Sequence, residues 1–287
     1  MSAPVSVHST VHATHSTASA TAASAVAAKP QLHVAVIQAD LHWQDAAANH
    51  RHLASLMDQA PDADLLVLPE MFNSGFSMQS QHIAQSMQGE SVTWLQAQAA
   101  ARQAVICGSL AIQTQDGVAN RCCVVYPDGT VTSYDKKHLF RMGQEHQHYL
   151  PGTERVIVQV HGWRFLLQIC YDLRFPVFSR NTGDYDGMIY VANWPAARRR
   201  IWQTLLSARA IENQAFVLGC NRVGQDANPW QYSGDSQILD FVGEAMTPSS
   251  AQEQVLQACL DWASLQAFRQ KFPAYLDADR FMLLPSA

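Results

Sequence analysis

Short apolar runs separated by polar, turn-forming stretches recur along the chain from residue 31 onward. "LHVAVIQA" (Leu32–Ala39) and "DLLVLPE" (Asp64–Glu70) are almost continuously apolar, the pattern of strands buried on both faces. Between them, residues 45–60 carry Leu53, Leu56, Met57 and Ala60 at helical spacing. A second helix is predicted over 91–103, with Val92, Leu95 and Ala99 on one face, and "AVICGSL" (Ala104–Leu110) follows as a strand. The pattern then changes to hairpins. "NRCCVVYPDGTVTSYDK" places a Pro-Asp-Gly turn between two alternating runs, and "RVIVQVHGWRFLLQIC" turns at His-Gly. "GMIYVAN", a helix over 199–213, "AFVLGCNRV", "SQILDFVGEAM" and "EQVLQACLD" complete the series. Alternating α and β units mixed with hairpins predict an α/β fold in which helices cover sheets, with no composition break to mark a second domain.

The two ends read differently. Residues 1–30 are rich in Ala, Ser, Thr and His and low in complexity, so a disordered tail is expected ahead of a single domain spanning 31–287. That tail lacks the charged start and Leu-rich centre of a signal peptide and the arginines of a mitochondrial presequence. His8, His12 and His15 have helical i, i+4, i+7 spacing, which composition bias explains better than metal binding. The segment 261–287 holds Trp262, Phe268, Phe272, Tyr275 and Phe281; it is too aromatic for a free tail and is expected to pack on the body or on a partner subunit.

Composition narrows the function classes. With 48% hydrophobic and 15% charged residues the chain can build an ordinary core, and a net charge of -5 offers no basic patch for nucleic acid or an anionic membrane. No run approaches the ~20 apolar residues of a membrane span. Six cysteines sit mostly inside apolar runs without CxxC spacing, which suits a reducing, cytoplasmic setting and gives five of them the reading of small buried hydrophobes.

The sixth, Cys170, ends the run in "RFLLQICYDLRFP". Glu70 closes "LLVLPE", and Lys136 follows a hairpin strand in "SYDKKHLF". Taken singly, each has an ordinary reading: a solvent-turned glutamate, a loop lysine, an inert buried thiol. Taken together, they place a carboxylate, an ammonium and a thiol at the ends of three separate strands, able to converge on one rim. A cysteine nucleophile needs a base for its proton and a cation for the developing oxyanion.

"LPEMFNSGF", "YDKKHLF" and "ICYDLRFP", in that order, resemble the Glu, Lys and Cys motifs of the nitrilase (carbon-nitrogen hydrolase) superfamily. The resemblance covers about residues 31–270 and includes "VANWP" and "SARAIENQAFVLGCNRVG". "HLFRMGQEHQHYLPG", "CYDLRFPVFSRN" and "ANWPAAR" are most similar to its omega-amidase branch, which hydrolyses the terminal amide of 2-oxoglutaramate and 2-oxosuccinamate. The resemblance implies a four-layer αββα sandwich, a homodimer or higher homo-oligomer, a small-molecule amide substrate, and no metal or cofactor. It carries the general base onto Glu70, the nucleophile onto Cys170 and the lysine onto Lys136, with Lys137 as the variable neighbour. Glu145, before "PG", matches a supporting glutamate.

Within that mechanism Lys136 is expected to lower the pKa of Cys170, and the backbone N–H of Tyr171 to join it as oxyanion donor. Phe72, Phe76 and Trp194 lie beside motif positions and are expected to wall the pocket. Arg198, after "YVANWP", is the candidate cation for a substrate carboxylate. Asp172 and Arg174 have two readings, substrate contact and a structural ion-pair role that fixes the turn after the nucleophile; the second is preferred, with Arg174 binding carboxylates of the protein rather than of the substrate. His138, His146 and His148 form a loose cluster with no zinc-ligand pattern. A nitrile, an N-carbamoyl compound or a plain acid amide as substrate, and a catalytically silent scaffold, are the competing readings.

Overall fold

The computed structural model describes residues 27–228 and 230–283. Strands are numbered in chain order. One sheet contains β1 (Gln31–Gln38), β2 (Leu65–Val67), β3 (Val105–Gln113), β4 (Val118–Val125), β5 (Val131–Asp135) and β13 (Gln254–Asp261), in the order β13-β1-β2-β3-β4-β5. The other contains β6 (Ile157–Val160), β7 (Trp163–Ile169), β8 (Gly187–Ala192), β9 (Phe216–Asn221) and β12 (Gln237–Leu239), in the order β12-β9-β8-β7-β6. A small ribbon pairs β10 (Val223–Gln225) with β11 (Gln231–Ser233). The middle strands of each sheet, β1-β2-β3 and β7-β8-β9, run parallel, so in each sheet their C-terminal ends share one edge.

Side-chain alternation explains why these strands read as unbroken apolar runs. In β1, Val34 and Val36 join a core that also takes Leu167, Ile169, Ile189 and Val191 from the second sheet. Ala35 and Ile37 point the other way, into a core shared with Leu53 and Leu56 of α1 (Ala46–Met57), past the short α2 (Ser80–Ile83), and Leu95 of α3 (Glu90–Arg102). On the second sheet Leu166, Met188 and Tyr190 face Trp202 and Leu206 of α5 (Arg199–Asn213), which follows the single turn α4 (Pro176–Ser179). Helix, sheet, sheet, helix is the αββα sandwich, and its four layers follow from period-2 strands that are apolar on both faces.

Local chemistry sets the boundaries. The Asp45 carboxylate accepts the Ala48 N–H at 2.9 Å and caps α1. The β6–β7 hairpin closes on His161 and Gly162, both left-handed at φ 46° and 82°, as a two-residue turn compatible with strand twist requires. "SQILDFVGEAM" forms a strand over Gln237–Leu239, because the Asp240 carboxylate captures the Val242 and Glu244 amides and turns the chain back to bridge Ala245 with Leu239.

The ends differ in part from expectation. The body starts before residue 31: Lys29 donates its amide to His161, Trp163 donates to the Lys29 carbonyl at 2.8 Å, and Trp262 donates to the Pro30 carbonyl. The histidines of the tail, His8, His12 and His15, lie outside the described residues. At the other end α6 (Trp262–Lys271) lies on the body, with Trp262 against Trp163 and Phe268 against Phe241. Beyond it Phe272, Leu276 and Met282 are exposed, so only the first half of that aromatic segment finds a place on the body.

Candidate active site

Cys170 follows the last residue of β7 and takes the left-handed conformation, φ 46°, in a non-glycine residue. Such a backbone is strained and persists only where its surroundings hold it. The holder is Asp172, which is fully buried. Its Oδ2 accepts the Ile169 N–H at 2.9 Å and the Tyr134 hydroxyl at 2.7 Å, while Oδ1 accepts the His138 backbone N–H at 2.9 Å and lies 2.8 Å from His138 Nδ1. Asp172 therefore fixes the turn, but with His138 rather than Arg174 as its partner. His138 is spent on that bond and on stacking against Phe175, and no group of His, Cys, Asp and Glu able to hold a metal is present among the described residues.

Glu70 lies just past β2 and Lys136 just past β5, both fully buried. The Lys136 ammonium donates to Glu70 Oε1 at 2.8 Å, and both Glu145 oxygens lie 3.0 Å from it. Asn120, in the middle of β4, donates its side-chain N–H to Glu70 Oε1 at 2.8 Å and to Glu145 Oε1 at 3.2 Å. Ser109 in turn orients that amide by donating to Asn120 Oδ1. Asn193, following β8, donates its backbone N–H to Glu70 Oε2 at 2.8 Å and its side-chain N–H to the Glu70 carbonyl at 2.6 Å. Both oxygens of the Glu70 carboxylate are thus held in place.

The electrostatics follow from burial and charge. Burial alone pulls the Lys136 ammonium down, but the carboxylates of Glu145 and Glu70 together outweigh it and hold its pKa above the ordinary value. Burial raises the Glu145 pKa even against the Lys136 charge. Cys170 is pushed well above the ordinary thiol value by burial first and then by the Glu70 carboxylate, with Lys136 acting in the opposite direction without prevailing. The Lys136 charge acts in the expected direction, but burial and the Glu70 carboxylate outweigh it and favour a thiol beside a carboxylate able to take its proton.

Cys170 opens into a narrow cleft of about 20 Å³, room for roughly one water, lined by Phe140, Tyr171, Arg174, Asn193, Trp194 and Arg198. Wider depressions lie elsewhere on the surface, but none contains these groups. Of the residues expected to form the pocket, Trp194 and Arg198 line this cleft, and Phe76 sits under the Lys136 ammonium, 5.2 Å from ring centre to Nζ. Phe72 does not. It is fully buried in the layer between sheet and helices, against Trp94 and His50, because Met71 turns left-handed right after Glu70 and sends the next side chain outward.

Arg174 is a second correction. Among the described residues it has no carboxylate partner; its guanidinium lies over the Trp194 ring at 5.2 Å, inside the cleft. Asn120 and Asn193 escaped the sequence reading although both left a signal. Each is a polar side chain placed within or directly after an apolar strand, where burial without a partner is costly.

A buried Glu–Lys–Glu cluster beside a thiol at a strained strand end is recognisable chemistry, and similarity to known proteins decides the family. The carbon-nitrogen hydrolase model matches residues 33–270. The chain belongs to the carbon-nitrogen hydrolase family. It is 52% identical over 254 residues to the omega-amidase YafV of Yersinia enterocolitica, a match covering 88% of this chain and 99% of the relative. It is 28% identical over 250 residues to the 2-oxoglutaramate amidase of Bacillus subtilis, covering 85% of this chain and 96% of that one. Among solved structures, the XC1258 protein of Xanthomonas campestris, a CN-hydrolase superfamily protein with an arsenic adduct in its active site, superposes with a TM-score of 0.86. The two are 45% identical, over 88% of this chain and 99% of that one. As a carbon-nitrogen hydrolase the chain acts on amides, and its αββα architecture is that of the nitrilase superfamily.

Proposed function

We propose that this carbon-nitrogen hydrolase is an omega-amidase that converts 2-oxoglutaramate or 2-oxosuccinamate to the 2-oxo dicarboxylic acid and ammonia. The observation that carries the reading is the cleft itself: a thiol at its base, two arginines along its wall, and a buried carboxylate–lysine pair behind it. An amide that bears a carboxylate at its far end matches the chemistry of that lining, the one-water cleft having to widen to admit it, and Arg174 and Arg198 are the residues assigned to that carboxylate.

Glu70 takes the proton of Cys170 as the sulfur attacks the amide carbon, forming the C–S bond. The oxygen that gains charge is held by the Lys136 ammonium and the Tyr171 backbone N–H. Glu70 returns the proton to the nitrogen, the C–N bond breaks, and ammonia leaves a thioester. Water deprotonated by Glu70 then attacks the thioester and releases the diacid, restoring the thiol. Glu145, bonded to Lys136 and through Oε2 to the Phe140 amide at 2.6 Å, is a positioning residue that ties the cation to the cleft wall. The cysteines, all unpaired among the described residues, support a cytoplasmic setting. No helix among those residues is long and apolar enough to cross a membrane. A homodimer belongs to the same proposal, supported by exposed Val177, Ile211, Phe272 and Leu276.

Ammonia release from 2-oxoglutaramate, 2-oxosuccinamate, glutamine, a nitrile and an N-carbamoyl amino acid tests the substrate. The two keto-acid amides should be turned over fastest. Preference for glutamine, the nitrile or the carbamoyl compound would replace the omega-amidase reading, and no turnover by folded protein would favour a scaffold.

A further inference from the structure

We propose that Asn193 is a further catalytic residue, whose side-chain carbonyl accepts an N–H of the scissile carboxamide and holds the nitrogen where Glu70 delivers its proton. The inference deepens the proposed function and rests on Glu70 being the proton carrier. Asn193 is 4% exposed and lines the cleft with Cys170. Its backbone N–H is bound to one Glu70 carboxylate oxygen and its side-chain N–H to the Glu70 carbonyl. The second bond sets the orientation of the amide, since a flipped side chain would set carbonyl against carbonyl. Oδ1 is consequently turned away from the Glu70 backbone, and it is buried without a hydrogen-bond partner.

A buried acceptor left unpaired beside the reacting groups needs a donor. The substrate oxygen cannot supply one, because it faces the donors Lys136 and Tyr171. The nitrogen of a primary amide can, since it carries two N–H groups and must lie close to Glu70 to be protonated. As the C–S bond forms and the C–N bond breaks, the proton from Cys170 passes through Glu70 to that nitrogen, which gains N–H character until ammonia leaves. An acceptor placed there binds the leaving group more strongly as the reaction proceeds, the condition for a contribution to rate. It also distinguishes an amide from an ester of the same acyl group, which has no N–H to offer.

The experiment compares kcat/KM, which reports acylation, for a primary omega-amide and the methyl ester of the same acyl group, in the wild-type chain and in Asn193→Ala. The alanine variant keeps the backbone N–H on Glu70, so any loss of Glu70 positioning falls on both substrates. The amide should lose about tenfold or more beyond the ester, the worth of one hydrogen bond. Asn193→Ser, too short to reach the Glu70 carbonyl and the substrate nitrogen together, should show the same selective loss if the alanine variant fails to fold. Equal losses on amide and ester in a folded variant would overturn the inference and leave Asn193 as a structural brace of Glu70. The ratio is taken on whichever acyl group the enzyme prefers, so an unexpected substrate overturns the substrate assignment and leaves this test in force.

Discussion

Lys136 is buried between two carboxylates and a thiol, and the balance of those charges governs the site. Replacing it with methionine removes an oxyanion donor and leaves Glu70 and Glu145 facing one another without a cation. Lys136→Met should lower kcat by at least ~10² and also lower the thermal midpoint, measured by ammonia release and circular dichroism. The thiol gives a pH prediction. A Cys170 pKa raised well above the ordinary 9.0 means that the protonated form dominates throughout the neutral range. Ultraviolet thiolate absorbance, taken as the difference from Cys170→Ala, should be absent at about pH 7 and appear only above about pH 9. A thiolate already present at neutral pH would show that the Lys136 charge prevails over burial. That Glu70, Lys136, Glu145 and Cys170 come together was legible in the sequence because motif flanks and strand ends mark them. Arg174 was misread because sequence order cannot tell which cation a buried aspartate takes, and the carboxylate of Asp172 is filled by His138, Tyr134 and the Ile169 amide.

At the scale of elements, the turn after β7 connects fold to chemistry. The strand lifts Cys170 to the rim, and Asp172 holds the left-handed turn that aims it. Asp172→Ala leaves the Ile169 amide, the Tyr134 hydroxyl and His138 without their acceptor, and should cost about 3 kcal/mol in a urea unfolding curve. Activity should fall even where the variant is folded, because the turn is free to relax toward ordinary backbone geometry. Preserved activity would mean that the strand end alone places the nucleophile. Helices and hairpins were read nearly to the residue from periodicity and turn chemistry: the helix expected over 199–213 is α5, and the His-Gly turn joins β6 to β7. Phe72 was misplaced for a local reason. The left-handed Met71 after Glu70 reverses the side that the next residue faces, and nothing in the pattern announces a positive φ at methionine.

At the scale of the molecule, two twisted sheets pressed face to face bring the ends of β2, β5, β7 and β8 to one place. Four residues distant in sequence, Glu70, Lys136, Cys170 and Asn193, meet there while helices seal the outer faces. The layer order was readable because strands apolar on both faces demand cover on both sides. That the apolar side chains of 272–283 stay exposed on the chain was not, since an aromatic-rich pattern marks burial without saying against what. Light scattering should give twice the 31.7 kDa of the chain, and a monomer at working concentration would contradict the proposed dimer. Covalent catalysis by Cys170 is open to acid-quenched turnover of 2-oxoglutaramate followed by intact-mass and peptide analysis. An adduct equal to the diacid minus water should appear on the peptide holding Cys170 and be absent from an inactive Cys170→Ala variant; ammonia release at the wild-type rate by that variant would show that Cys170 is not the nucleophile.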